Sequence, residues 1–230
     1  MSDELKPVVV DAAKLAAMGE LAGGAGHEIN NPLAVIMGKA QLLMRDEVDP
    51  RRKADLQAIA GQALRIKQMI GDLMLFAKPP VALKKMFDAG SAVEAVVKKM
   101  RAEFEASSVE LETEVAEGIT LNADQTQFEI VVAELLRNAM GACVLKEGGE
   151  KSVQLGLFSE EGQVRLVVED NGVGFSEKDR VHAFDPFYSG RAAGRGLGFG
   201  LCKCWRIVEG HGGTIGIEAC DGVTRVVVSF

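Results

Sequence analysis

In "VVEDNGVGF" an alternating apolar run ends on Asp170, and Gly172 and Gly174 follow at steps of two. A carboxylate at the end of a strand can accept a hydrogen bond from an exocyclic amine such as that of adenine. The glycines permit positive φ and close backbone approach to a ligand. Alone, D-x-G-x-G also fits a plain hairpin turn. Downstream, "GRAAGRGLGFGLC" sets glycines at 190, 194, 196, 198 and 200 at the head of a helical pattern. Exposed amides at a helix N-terminus make a phosphate cradle, helped by the macrodipole. No Gly-Lys-Ser/Thr follows, which excludes a Walker A loop; a merely flexible loop is the plain alternative. Upstream, "ELLRNA" places Glu134 and Asn138 four residues apart, on one face of a helix. A carboxylate and an amide oxygen one turn apart can hold Mg²⁺ or its waters beside a triphosphate. In isolation the pair reads equally as a solvated helix face.

A fourth stretch, "GELAGGAGHEINNPL", puts four glycines and Pro32 around His27. At about 100° per residue His27 falls about 200° from Ala25 and Ile29 on the apolar seam, so it is expected to face away from the helix-packing core. An exposed imidazole can attack a γ-phosphate in line through one nitrogen while a carboxylate on the other fixes the tautomer. Glu28 is the natural carboxylate, and Asn31, one turn on, could position a water. Pro32 cannot donate to the carbonyl of Glu28, and each interior glycine costs roughly 0.5–1 kcal/mol relative to alanine. The helix is therefore expected to be softest at His27, as a hinge. His182 and His211 have no comparable surroundings and are given no catalytic role.

In this order the segments form a specific set. "ELLRNA", "DNGVGF", "FDPFY" and "GRGLGFGL" resemble the N, G1, F and G2 boxes of the histidine kinases of two-component systems, and "HEINNPL" resembles their H box. The resemblance covers nearly the whole chain. It implies a dimerisation and phosphotransfer hairpin over 12–80, after an N-terminal segment 1–11, and a catalytic ATP-binding domain over 83–230. The latter would have the Bergerat sandwich shared with gyrase-type ATPases. It further implies that Asn138 ligates Mg²⁺, that Asp170 binds the adenine amine, and that Gly172, Gly174 and Phe175 shape the base pocket. Arg137, Gly194, Gly196, Leu197, Gly198 and Gly200 would border the nucleotide under a mobile lid anchored by Phe184 and Phe187, with Arg191 and Arg195 where lid cations could meet the γ-phosphate. Many members carry Asn where this chain has Glu134, so Glu134 stands as a metal or water ligand of open duty. The implied activity is ATP- and Mg²⁺-dependent autophosphorylation on His27 in a homodimer. Transfer to an aspartate of a response-regulator receiver domain would follow, with phosphatase action on that partner. The alternatives are a nucleotide-sensing scaffold and a plain ATPase that uses Glu134.

These side chains need elements to hold them. Apolar residues from Leu15 through Met18, Ala22, Ala25, Ile29, Leu33, Ile36 and Ala40 to Leu43 step by threes and fours, as a helix-pairing seam does. "RDEVDPRR" breaks the pattern, and a second seam runs Leu56, Ile59, Ala63, Ile66, Ile70, Leu73, Ala77 until "AKPP" stops it. Two such helices make an antiparallel hairpin, expected to dimerise into a four-helix bundle because two helices bury little. Beyond Pro80 the pattern predicts a strand at 83–88 and a helix at 89–106 with Val93, Val96, Val97, Met100 and Phe104 inward. Strands follow at 109–115 and 118–122, then a helix from an Asp124 cap to about Cys143. Strands at 151–158 and 163–169 precede a Gly-rich stretch; a helix from about Gly198 to Val208 and a closing hairpin with Asp221-Gly222 at its turn complete the pattern. The fold class is α+β, a helical hairpin followed by a two-layer α/β sandwich.

Composition narrows the rest. At 230 residues and 47% hydrophobic, the chain has the apolar content for a sizeable core. A net charge of -7 argues against general nucleic-acid binding. Four cysteines without a C-x-x-C pair read as reduced thiols in a cytosolic chain rather than a metal site. No run reaches the ~18 apolar residues of a membrane helix.

Overall fold

Prolines bound the second helix of the chain. In the computed structural model, which describes residues 12–160, 162–188, 198–220 and 222–230, α1 spans Ala12–Asp46 and α2 spans Pro50–Ala77. Asp49 caps α2 by accepting from Arg51 N at 2.9 Å, with Pro50 in the first turn, where its missing N–H costs nothing. At the other end Lys78 N bonds Met74 O and Pro79 forbids continuation. The two helices pack on each other within a unit that ends at Pro80; residues from Val81 onward form a separate unit.

Within the hairpin the expected seam divides in two. Gly26, Leu33 and Ala40 of α1 are buried, as are Ala63, Phe76 and Ala77 of α2. Ile36, Leu43, Ile59 and Ile66 instead remain exposed at 44%, 61%, 48% and 41%. A helix pair closes one stripe per helix; the second stripe, at steps of seven, has no partner within a single hairpin. The glycines divide likewise. A Cβ on Gly26 would stand 2.7 Å from Met74 Sδ and 3.3 Å from Ile70 Cγ2, so this glycine serves close approach, whereas Gly24 faces open space. Helix α1 runs on through Pro32.

The second unit is built on a five-stranded sheet. Its elements are β1 (Lys85–Asp88), α3 (Ala89–Ala106), β2 (Glu110–Val115), β3 (Thr120–Ala123), α4 (Gln125–Leu145), β4 (Ser152–Glu160), β5 (Gln163–Asp170), α5 (Glu177–His182), α6 (Gly200–Gly210), β6 (Thr214–Cys220) and β7 (Val223–Ser229). The sheet order is β2-β4-β5-β7-β6, with only the β2–β4 pairing parallel, and β1 and β3 form a separate antiparallel pair. One face is apolar: Val153, Leu155 and Leu157 of β4, Leu166 and Val168 of β5, and Val226 and Val228 of β7 are all buried. Helix α4 packs on this side, with α3 and α6 against it. Phe128 at its start is fully buried, edge-on to Phe87 and Phe230. The inward set predicted for α3 is buried as a whole.

Departures from the predicted elements have local causes. Strand β1 starts two residues late because Leu83 N is taken by Asp124 Oδ2 at 2.9 Å rather than by a neighbouring strand. Strand β3 starts late because Gly118 turns the chain at φ +71°. Helix α5 was not anticipated, since Gly-rich sequence surrounds it; its signal is the Ser176/Asp179 capping box. The closing hairpin forms with Gly222 at φ +80°, while Asp221 lies outside the described residues.

Asp124 joins three segments. Its Oδ1 accepts from Gln127 N, capping α4, and its Oδ2 accepts from Leu83 N. Its own N–H donates to His211 Nε2 at 3.0 Å, while His211 Nδ1 lies 2.8 Å from Ile207 O. A carbonyl can only accept, so Nδ1 carries the proton and Nε2 is the acceptor. His211 thus ties the end of α6 to the start of α4. Burial opposes ionisation of Asp124, but the N–H bonds from Leu83, Gln127 and Thr126 outweigh it and hold the carboxyl below its ordinary 3.8. Its stabilisation is therefore present above pH 3.8 and is lost as pH falls through the lower folded value. Asp124→Ala should cost about 1–2 kcal/mol by urea denaturation at neutral pH. The deficit relative to wild type should shrink under acid; a constant deficit would remove the carboxylate from the account.

Candidate functional site

The end of β5, the second half of α4 and the start of α6 meet around the predicted boxes. Asp170 is the last residue of β5, only 6% exposed, and its Oδ1 accepts from Gly172 N at 2.9 Å. That bond orients the carboxylate on a rigid strand end. The turn after it is braced from both sides. Asn171 Oδ1 accepts from Ser152 N at 3.0 Å, Asn171 Nδ2 donates to Glu150 O at 3.1 Å, and Val173 N reaches Ala142 O at 3.3 Å. Gly172 lies so close to α4 that a Cβ would overlap the backbone of Ala142 and Cys143. Gly174 takes φ +71°, and Phe175 beside it is half-buried. Burial, reinforced by the charge of Asp170, raises the Cys143 thiol above its ordinary value, so it remains a neutral packing group.

A residue that sequence reasoning missed sits across the ladder. Thr224 pairs with Asp170 in the β5–β7 register, is 1% exposed, and its Oγ1 has no hydrogen-bond partner among the described residues. A buried hydroxyl without a partner is uncommon and marks a place where a ligand or water completes the set. The sequence carried no signal for it, because a threonine in an alternating strand is ordinary.

At the other end of the site, a Cβ on Gly200 would stand 2.9 Å from Asn138 Nδ2, 3.1 Å from Asn138 Oδ1 and 3.3 Å from Glu134 Oε2. The two "ELLRNA" side chains therefore converge on the first turn of α6. No side chain caps that helix; Phe199 holds the cap position. Its first-turn amides, with the macrodipole behind them, face the direction an anion would take. Glu134 is less available than the sequence implied. Its Oε1 lies 2.8 Å from Arg137 Nη1 and 3.1 Å from Lys203 Nζ. Among the described residues there is no cluster of three or more His, Cys, Asp or Glu that could hold a metal by itself. An amide oxygen beside a triphosphate still suits Mg²⁺, which keeps most of its waters and takes few protein ligands.

The aromatic box flanks α6. Phe184 is buried, and Phe187, at φ +66° and 60% exposed, stacks edge-on to Phe199 at 4.7 Å between centroids. Gly198, at φ +69°, is pressed on the backbone of Phe187 and Tyr188, where any Cβ would overlap it. Arg191, Gly194, Arg195, Gly196 and Leu197 lie outside the described residues. In the hairpin, Glu28 and Asn31 are exposed on α1. The backbone of His27 is helical, and the expectation about its ring concerns a side chain outside what is described.

Comparison with known proteins follows this division. Residues 17–80 match the His Kinase A (phospho-acceptor) domain, and residues 123–230 match the histidine kinase-, DNA gyrase B-, and HSP90-like ATPase. The signal transduction histidine-protein kinase AtoS of Escherichia coli is 28% identical over 93% of this chain and 34% of its own length. Sporulation kinase D of Bacillus subtilis is 28% identical over 91% of this chain and 40% of its own. The chain thus spans between 29% and 50% of the length of such curated relatives. Among solved structures, full-length ShkA in complex with AMPPNP shares the fold at TM-score 0.80 and 20% identity, over 91% of this chain and 45% of that one. ThkA in complex with the response regulator TrrA does so at 0.67 and 22%, over 95% and 63%.

Thr224→Val should leave thermal stability equal or higher, since it removes a buried hydroxyl without a partner. It should weaken adenine-nucleotide binding by about tenfold, the worth of roughly one hydrogen bond. A fluorescent-nucleotide titration beside a melting curve separates the two effects. Unchanged affinity would place the base elsewhere.

Proposed function

The chain belongs to the histidine kinases, carrying both their phospho-acceptor and their ATPase domains, and on that premise we propose that it autophosphorylates His27 from ATP and passes the phosphoryl group to an aspartate of a response regulator. The observation that carries this reading is the convergence of Asn138 and Glu134 on Gly200 at the uncapped start of α6, with a buried, oriented Asp170 on the same side of the sheet. Asp170 accepts from the adenine amine, with the Thr224 hydroxyl completing the polar edge. Gly172 and Gly174 let the backbone approach the base, and the α6 amides receive the phosphates. Asn138 would hold Mg²⁺, which when bound would neutralise charge on the triphosphate. The site supplies position and charge stabilisation, the two things phosphoryl transfer requires.

In the transfer, an imidazole nitrogen of His27 bonds to the γ-phosphorus as the bond to the β–γ bridging oxygen breaks and ADP leaves. Glu28 accepts from the other ring nitrogen and fixes the tautomer. Asn31 positions the water that later removes the phosphoryl group from the partner. The exposed stripes of Ile36, Leu43, Ile59 and Ile66 form the surface by which residues 12–80 of two chains join as a four-helix bundle. No helix among the described residues is long and apolar enough to cross a membrane. The free cysteines Cys143, Cys202 and Cys204 are buried, in keeping with work in a reducing cytoplasm.

His27→Gln should abolish acid-labile labelling from γ-labelled ATP while nucleotide affinity holds within about twofold, because it removes only the acceptor. Labelling that survives would sink the assignment; phosphate release with no labelled wild-type protein would indicate a plain ATPase. Gly24→Ala, in open space, should raise stability by about 0.5–1 kcal/mol through helix propensity. If the helix bends at His27, the ratio of autophosphorylation to regulator dephosphorylation should shift with it, read from the two rates on the same preparation. A stabilised variant with both rates unchanged would end the hinge reading.

A further inference from the structure

One cation near the site has no role in that scheme. The side chain of Lys203 is 6% exposed, and its Nζ lies 3.1 Å from Glu134 Oε1. Lysine is almost never buried so far unless paired. Lys203 follows Gly200 by three residues on α6, so it shares the face that α6 turns to Glu134 and Asn138. The same Glu134 oxygen also accepts from Arg137 Nη1 at 2.8 Å. The three side chains sum to one positive charge, and Oε1 holds two cationic donors. Desolvating two charges makes such a pair a poor source of stability. Its consequence lies in what Glu134 is left able to do.

Two nucleophiles compete for a γ-phosphoryl group, the imidazole and water. With water, its oxygen bonds to the γ-phosphorus, the β–γ bridging oxygen departs with its electron pair as ADP, and the water proton passes to a base. A carboxylate one turn from Asn138 and against the start of α6 is where such a base would stand. With Oε1 held by Lys203 and Arg137 and Oε2 packed against Gly200, neither oxygen of the carboxylate is turned to take that proton.

We propose that Lys203 is a positioning residue that holds Glu134 out of service as a base for water, so that the phosphoryl group goes to His27 rather than to solvent. The inference rests on the kinase reading given above and assigns the lysine the choice between transfer and hydrolysis at that site. Glu134 then belongs to the phosphate-receiving wall rather than to the metal.

The test uses the full chain, γ-labelled ATP and the ratio of free phosphate to phosphohistidine formed before any regulator is added. Lys203→Met should raise that ratio roughly tenfold, below the roughly hundredfold that a fully engaged general base supplies at the least, because Arg137 still holds Oε1. Adding Glu134→Gln to the same variant should return the ratio to the wild-type value, which a purely structural role for Lys203 would not do. Lys203→Gln, which keeps a donor but no charge, should raise the ratio less and covers the case in which methionine prevents folding. Without nucleotide, melting curves of Lys203→Met, Glu134→Gln and the double variant should show the double less destabilised than the two singles combined. A wild-type chain that forms no phosphohistidine would overturn the kinase reading and this proposal with it. A labelled wild type with an unchanged ratio in both lysine variants would overturn the proposal alone, as would a raised ratio that persists with Glu134→Gln.

Discussion

The candidate site depends on one close approach, that of the first turn of α6 to the face of α4 carrying Glu134 and Asn138. Gly200 permits it, because the space a Cβ would need is already taken by the amide of Asn138 and the carboxylate of Glu134. A larger residue would push the helix start away from the "ELLRNA" face and separate the anion-receiving amides from the side chains meant to work beside them. The other glycines of the site follow the same rule at other contacts. Gly172 meets the backbone of α4, and Gly198 meets the backbone of Phe187 and Tyr188 at a φ that L side chains rarely adopt. The glycine-rich boxes are therefore a record of backbone contacts as much as of flexibility.

Around that contact the polar groups form a connected frame. Asp124 caps α4, takes the N–H of Leu83 from the chain entering the unit, and is bonded in turn by the ring of His211 at the end of α6. Both helices that define the site are thus tied at the end away from it. Because the histidine donates from Nδ1 and accepts at Nε2, it works as a neutral ring. This gives the third histidine a structural place, whereas the chemistry is proposed for His27. Lys203, a buried cation near the site, is paired with Glu134, as desolvation requires.

The hairpin obeys a different constraint. Its inner stripe carries small residues, Gly26, Ala40 and Ala63, which let the two helices approach, beside the buried Leu33 and Phe76. The large apolar residues at Ile36, Leu43, Ile59 and Ile66 are left outside. Sequence spacing alone merges these two stripes into one seam, since both follow steps of three and four. Only packing separates the face that meets the partner helix from the face left to a further partner. The glycines near His27 are likewise of two kinds, one in contact and one in the open.

Much of the molecule was legible in order and type. Helix α3 lies over the predicted 89–106, Asp124 caps α4 where a short polar residue precedes an apolar run, and the alternating strands fall where period-two patterning put them. Periodicity, caps and turns are local, so the sequence by itself determined the elements and the α+β class, and from residue type it suggested a chemistry for Asp170, Asn138 and the glycines. Helix α5 escaped because its capping box is hidden among glycines. What the tertiary structure decided concerns residues far apart in the chain. Thr224 stands opposite Asp170 only through the β5–β7 register. Lys203 claims Glu134 only because α6 packs on α4. Long-range register and helix packing leave no trace in local spacing, and that is why the threonine, the lysine and the changed standing of Glu134 had to come from the folded chain.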